Sequence, residues 1–291
     1  MSRKIKVIEV GPRDGLQNEK TPLSLDFKLG LIERLEKCGF PEIEVTSMVH
    51  PKWVPQLADA AELLAALAKR PSQSVRTVLV PNIKGRVAVF IAASESFSQK
   101  NTNRSIAESL EQTAEVVAKA LEHGVSVRGY LSTAFVCPFE GDIAPESAAS
   151  LTRKLLELGC DEISLGDTIG AAVPEDIDRL MDCLEGAEAH HLALHLHDTY
   201  GTALANVSRG LQRGIRAFDS SVGGAGGCPY APGATGNLAT EDLLYLLDRG
   251  GWEHGIDRQG VLEAARYLER GLGRPASSHL ATLERGRMNE S

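Results

Sequence analysis

The stretch LALHLHDTYG, residues 192–201, carries the two side chains best suited to chemistry. A strand repeats every two residues, so His195 and His197 share one face while Leu192, Leu194 and Leu196 share the other. With the leucines packed outward on helices, both imidazoles point inward near the strand's C-terminal end. Two neutral imidazoles that close suit a divalent metal. The plainer alternative is a pair of hydrogen-bonded core histidines.

A second group closes the first strand-like run. In EVGPRDGLQNE, residues 9–19, Gly11-Pro12 bends the chain and leaves Arg13, Asp14 and Gln17 just past a strand end. Asp14 offers a hard oxygen ligand. Arg13 could stabilise a developing oxyanion; a surface Arg–Asp pair in a turn is the alternative. In EIEVTS, residues 42–47, Glu44 and Thr46 lie opposite Ile43 and Val45. A glutamate facing a barrel interior is costly unless it is paired or functional. Asp167 closes the strand of SLGDTIG, residues 164–170. Either carboxylate could be a general base, an N-cap or a salt-bridge partner.

The run GGAGGCPYAPGATGN, residues 223–237, has no GxxxxGK, and Pro229 breaks a GxGxxG pattern, so it fails as a phosphate cradle. A helix-like segment, LATEDLLYLLDRG, follows directly, which argues against a linker. It reads as a functional loop whose side chains with chemical potential are Cys228, Tyr230 and Asn237.

The elements that position these groups repeat a unit of amphipathic helix, glycine and short strand. Gly39, Gly124, Gly159 and Gly214 each fall where a left-handed residue ends a helix. Eight strands are predicted: Lys6–Val10, Glu42–Thr46, Val75–Val80, Val87–Ala92, Ser126–Leu131, Glu162–Leu165, Leu192–His197 and Ala217–Ser221. Strands alternating with helices imply parallel pairing, and eight units imply an α/β fold of the TIM (β/α)8 type. A doubly wound open sheet is the runner-up. Thr240 to Gly271 reads as two extra C-terminal helices. Residues 1–278 are expected to form a single barrel domain and residues 279–291 a frayed tail.

The pattern breaks once. VRTVLVPN and RVAVFIAAS are separated by Ile83, Lys84 and Gly85 alone. Parallel neighbours need a crossover of about a dozen residues. The helix between strands 3 and 4 is therefore expected to be missing, with the two runs forming an antiparallel hairpin or one of them lying outside the barrel.

Composition excludes several classes. The formal net charge of −8 argues against general nucleic-acid binding. No apolar run reaches transmembrane length, and MSRKIKVIEV lacks the features of a signal or transit peptide. A cytoplasmic protein is expected. The five cysteines (Cys38, Cys137, Cys160, Cys183, Cys228) are scattered without a CxxC, which excludes a disulfide framework or a cysteine zinc site. Burial is expected for all but Cys228.

Taken together, VIEVGPRDGLQNEK (7–20), IEVTSMVHPKWVPQLAD (43–59), ISLGDTIG (163–170), HLHDTYGTALANV (195–207) and GGCPYAPGATGNLATEDL (226–243) resemble the hydroxymethylglutaryl-CoA lyase family of metal-dependent barrels. The condensing relatives carry RDGEQ where this chain has RDGLQ. The resemblance implies cleavage of 3-hydroxy-3-methylglutaryl-CoA to acetoacetate and acetyl-CoA. It implies Mg²⁺ or Mn²⁺ on Asp14, His195, His197 and Asn237. It gives Arg13 the enolate oxygen, Cys228 proton delivery to the enolate, and Asp167, with Glu44 nearby, removal of the hydroxyl proton. Glu241 and Gln17 would support the site. Lys52 and Lys84 are candidates for the CoA phosphates, with Arg86, Lys100 and Arg104 on or near the same loops. His50 departs from the small residue expected there. The assembly implied is a homodimer. The alternatives are a lyase for a related branched 3-hydroxyglutaryl-CoA, a condensing acyl-CoA transferase, and a catalytically impaired barrel.

Overall fold

The computed structural model describes residues 3–50, 52–79, 86–184, 186–227 and 236–289. Eight strands close a parallel barrel and follow one another around it in chain order. They are β1 (Lys6–Glu9), β2 (Glu42–Ser47), β3 (Val75–Leu79), β4 (Arg86–Ala92), β5 (Val127–Ser132), β6 (Glu162–Asp167), β7 (Leu192–Leu196) and β8 (Ala217–Ser220). The open-sheet alternative falls. Strands buried on both faces are what a parallel barrel requires, and β2 and β7 are buried along their whole length.

The chain divides into two compact units. One comprises Met1–Leu79, Asp219–Pro229 and Thr235–Ser291. In it β2 lies parallel between β1 and β3, with a bulge between Glu44 and Thr46. Such bulges re-aim side chains beside functional sites. The other unit comprises Val80–Phe218 and Tyr230–Ala234, and in it β4, β5, β6 and β7 pair in parallel succession. An antiparallel ribbon, Val136–Cys137 with Gly141–Asp142, follows β5.

The helices begin and end as local chemistry dictates. Ser24 caps Leu25–Lys37 by accepting the Phe27 N–H, and Ser105 with Glu108 forms a capping box on Ile106–Glu122. Gly39, Gly124, Gly159 and Gly214 all have positive φ, as the repeated unit predicts. None of the described helices is long and apolar enough to cross a membrane. Cys38, Cys137 and Cys160 are buried and Cys183 is partly so. Burial pushes the thiols of Cys38 and Cys160 up to about 12, so both are inert.

Three expectations need correction or limit. Both runs flanking the break, β3 and β4, are strands of the parallel barrel, so neither the hairpin nor the excluded strand is found. Residues 80–85, which join them and on which the missing helix turns, lie outside the described residues. The tail is not frayed, because residues His279–Asn289 form a helix. Asp242 explains why: its carboxylate accepts the N–H groups of His279 (2.9 Å) and Leu280 (2.8 Å) at that helix's first turn. Helix Arg258–Leu272 adds an ion pair from Glu269 to Arg285.

Asp242→Ala should therefore destabilise the protein by about 1–2 kcal/mol, the value of a lost helix cap. Urea denaturation reads the loss. Amide exchange should rise first in 279–289, and unchanged protection there would contradict the capping role.

Candidate active site

In the first unit, β1 runs into a single π turn, Gly11–Gly15. The Val10 carbonyl accepts the N–H groups of Arg13 (3.1 Å), Asp14 (2.8 Å) and Gly15 (3.2 Å). Turns of this kind are frequent at functional sites. Here the turn presents two adjacent side chains. Arg13 is only 6% exposed and Glu44 is fully buried. Arg13 Nε and Nη2 both donate to Glu44 Oε2, at 2.7 and 2.5 Å, and Nη1 donates to Asp14 Oδ1 at 2.5 Å. The surface Arg–Asp pair is thus excluded. Glu44 faces a guanidinium, and this pairing makes its burial tolerable.

Asn237 completes this half. Its Nδ2 donates to Asp14 Oδ2 (2.8 Å) and to the Ala225 carbonyl (3.1 Å). Both partners are acceptors, which fixes the orientation of the amide. Oδ1 is then left buried with no hydrogen-bond partner. Four residues on, Glu241 is fully buried and accepts the Gly223 N–H with both oxygens, at 2.9 and 3.1 Å. Burial raises its carboxyl to about 8.

In the second unit, His195 and His197 at the end of β7 are both buried, with ring centroids 5.4 Å apart. The Tyr130 ring on β5 meets His195 edge-on at 6.0 Å, and its hydroxyl accepts a hydrogen bond from the buried Arg128 (2.5 Å). Asp167 at the end of β6 accepts the N–H groups of Ala171 (3.0 Å) and Ala172 (3.1 Å), and burial raises its carboxyl to about 7. The loop after Asp167 reaches β7 because residue 170 is glycine. A Cβ there would lie 2.7 Å from the Thr199 nitrogen and 2.8 Å from the His197 oxygen.

The first unit thus offers the Asp14 carboxylate at the π turn, and the second offers two neighbouring imidazoles, His195 and His197. The chemistry of the donors fits a divalent cation. A carboxylate, two imidazoles and the unpartnered amide oxygen of Asn237 make a nitrogen–oxygen set of the kind Mg²⁺ and Mn²⁺ accept.

The remaining candidates are placed as follows. Gln17 is half-buried just beyond the π turn. Lys52 is exposed, and its backbone N–H donates to His50 Nδ1 (3.2 Å). Lys100 stacks over Phe139 at 3.8 Å, and Arg104 is exposed before helix Ile106–Glu122. Arg86 does not belong to this group. It is the first residue of β4, at the N-terminal end of a strand, and it pairs with Asp161 (2.9 Å) ahead of β6. Cys228, Tyr230 and Lys84 lie outside the described residues.

Sequence reasoning passed over two residues, Tyr130 and Glu9. Glu9 is fully buried on β1, accepts three hydrogen bonds and is raised by burial to about 7. The clue was the one used for Glu44: a carboxylate in an apolar strand.

The raised carboxyls set a pH dependence. Glu9, Asp167 and Glu241 keep their protons in the folded metal-free protein up to about 7, 7 and 8, whereas the unfolded chain releases them near 4.5 or 3.8. Between those limits the folded state binds more protons, so stability falls as pH rises, by roughly 1 kcal/mol per pH unit for a single group. In chelator, the urea midpoint should fall from pH 5 to pH 8, and Glu241→Gln should reduce that fall. A midpoint that rises with pH, or a slope unchanged in the variant, would contradict the assignment.

Comparison with known proteins agrees with this geometry. Residues 4–268 match the family model described as HMGL-like. The hydroxymethylglutaryl-CoA lyase of Pseudomonas mevalonii is 49% identical over 280 residues, covering 92% of this chain and 93% of the relative. A Pseudomonas aeruginosa protein named 3-hydroxy-3-isohexenylglutaryl-CoA/hydroxymethylglutaryl-CoA lyase is 46% identical over 292 residues, 97% of each chain. The crystal structure of the HMG-CoA lyase of Bacillus subtilis superposes with a TM-score of 0.93 at 41% identity, covering 98% of this chain and 100% of that one. A closed parallel barrel, an Arg-Asp turn after β1 and a histidine pair ending β7 thus occur in a chain that belongs to the HMGL-like family.

Proposed function

We propose that the protein is a carbon–carbon lyase that cleaves 3-hydroxy-3-methylglutaryl-CoA to acetoacetate and acetyl-CoA with a divalent cation. The observations that carry this reading are the buried imidazole pair of His195 and His197 at the end of β7 and the Asp14 carboxylate hydrogen-bonded to a buried guanidinium. Asn237 is the fourth ligand in the proposal, through its unpartnered Oδ1. A cation held there supplies Lewis-acid polarisation of the substrate oxygens; Mg²⁺ or Mn²⁺ suits the donor set.

The residues divide the work. Asp167, raised by burial to about 7, suits a general base that takes the proton of the tertiary hydroxyl near neutrality. As that oxygen becomes a ketone, the C–C bond breaks and its electron pair becomes a thioester enolate. Arg13 stabilises the enolate oxygen and is held in place by Glu44. Cys228 delivers a proton to the enolate carbon, releasing acetyl-CoA. Glu241 holds the Gly223 N–H at the start of the glycine-rich segment that carries this thiol. Gln17 supports the turn, and Lys52 and Lys84 meet the CoA phosphates. A cytoplasmic homodimer belongs to the same proposal.

A second reading concerns the acyl tail alone. The Pseudomonas aeruginosa relative is named for both a methyl and an isohexenyl substrate, so longer 3-hydroxyglutaryl-CoA thioesters are candidates.

With Mg²⁺ and 3-hydroxy-3-methylglutaryl-CoA, the wild type should release acetoacetate without any added acceptor. His195→Ala and Cys228→Ala should each lower kcat by about 100-fold or more. Full activity in both variants would overturn the site. A requirement for an acceptor would favour a transferase.

A further inference from the structure

We infer that Glu9 is a positioning residue for the cation site, because its buried carboxylate fixes the turn bearing Asp14 against the segment bearing Asn237. This rests on the proposed metal-dependent lyase reading. Glu9 Oε1 accepts the N–H of Gly11 (2.8 Å), the first residue of the π turn, and the N–H of Val222 (2.9 Å), just past β8. Oε2 accepts the hydroxyl of Thr240 (2.7 Å), three residues after Asn237. Thr240 Oγ1 lies 2.9 Å from Ser220 Oγ, so the clamp continues into β8. Val10 N–H also donates to the Ser220 carbonyl (2.9 Å).

Every partner is a donor, and both carboxylate oxygens are used. The clamp also accounts for a glycine: a Cβ at residue 11 would lie 2.6 Å from Glu9 Oε1. Glu9 touches none of the prospective ligands itself. What it controls is the distance across the Asn237–Asp14 hydrogen bond (2.8 Å), where two ligand-bearing segments meet. Residues that orient ligands in this way alter metal affinity or activity by about 10- to 100-fold when lost.

The test compares Glu9→Ala, Glu9→Gln and Thr240→Val with the wild type in three readouts: Mn²⁺ affinity by EPR of the free ion, kcat and KM for the thioester, and melting temperature. Glutamine keeps an acceptor for both amides and turns its NH₂ toward Thr240 Oγ1, while the Thr240 hydroxyl can donate to Ser220. Glu9→Ala should weaken Mn²⁺ binding about tenfold or more and lower kcat, with KM changed less than about threefold. Glu9→Gln should recover most of both, and Thr240→Val should show a smaller loss of the same sign. If Glu9→Ala does not fold, Thr240→Val and Glu9→Gln decide. Wild-type Mn²⁺ affinity and kcat in Thr240→Val, or in a folded Glu9→Ala whose melting temperature alone drops, overturns the inference. So does a folded Glu9→Gln that loses Mn²⁺ binding as fully as alanine would. A wild type that neither binds Mn²⁺ nor cleaves the thioester would instead overturn the reading on which the inference rests.

Discussion

The site depends on one buried ion pair. Arg13 and Glu44 sit at 6% and 0% exposure, where either charge alone would cost several kcal/mol. Their mutual contact makes a cationic group tolerable inside the fold. The bulge in β2 beside Glu44 and the π turn after β1 bring the partners into register. Asp14 then shares the guanidinium, so one side chain holds two carboxylates, Glu44 and the prospective cation ligand Asp14; stabilising a substrate oxyanion is the role the proposal gives it.

The buried carboxylates are sorted by what faces them. Glu44 faces a guanidinium. Asp167, Glu9 and Glu241 face backbone N–H groups, with Thr240's hydroxyl added at Glu9, and burial raises all three. The arrangement supplies acids and bases that change state near neutrality, which ordinary surface carboxylates do not. Side-chain chemistry is thus tuned by depth and by hydrogen-bond donors, with strands setting the depth of Glu9 and Asp167 and the first turn of a helix that of Glu241.

Much of this was legible in the sequence because it is local. The alternation in LALHLH places both imidazoles on one face, and helix–glycine–strand repeats give the barrel. Asp14 is readable as an oxygen ligand from its place at a strand end, whereas Asn237 is readable as a ligand only through the family resemblance. Four features escape a local reading. Glu9 shows in the sequence only as a carboxylate in an apolar strand, and its partners Val222 and Thr240 lie more than two hundred residues away. Tyr130 matters through a neighbour on another strand, His195. The last helix was misread because its cap, Asp242, lies 37 residues before it. Arg86 was misplaced by a boundary: a residue assigned to a loop is the first residue of β4.

The proposed function has Asp14, His195, His197 and Asn237 hold a cation. Pulsed EPR of the Mn²⁺-loaded protein labelled with ¹⁵N-histidine tests it directly. Two coupled histidine nitrogens are predicted, one of which disappears in His197→Ala. Bound Mn²⁺ with no histidine coupling would contradict the account.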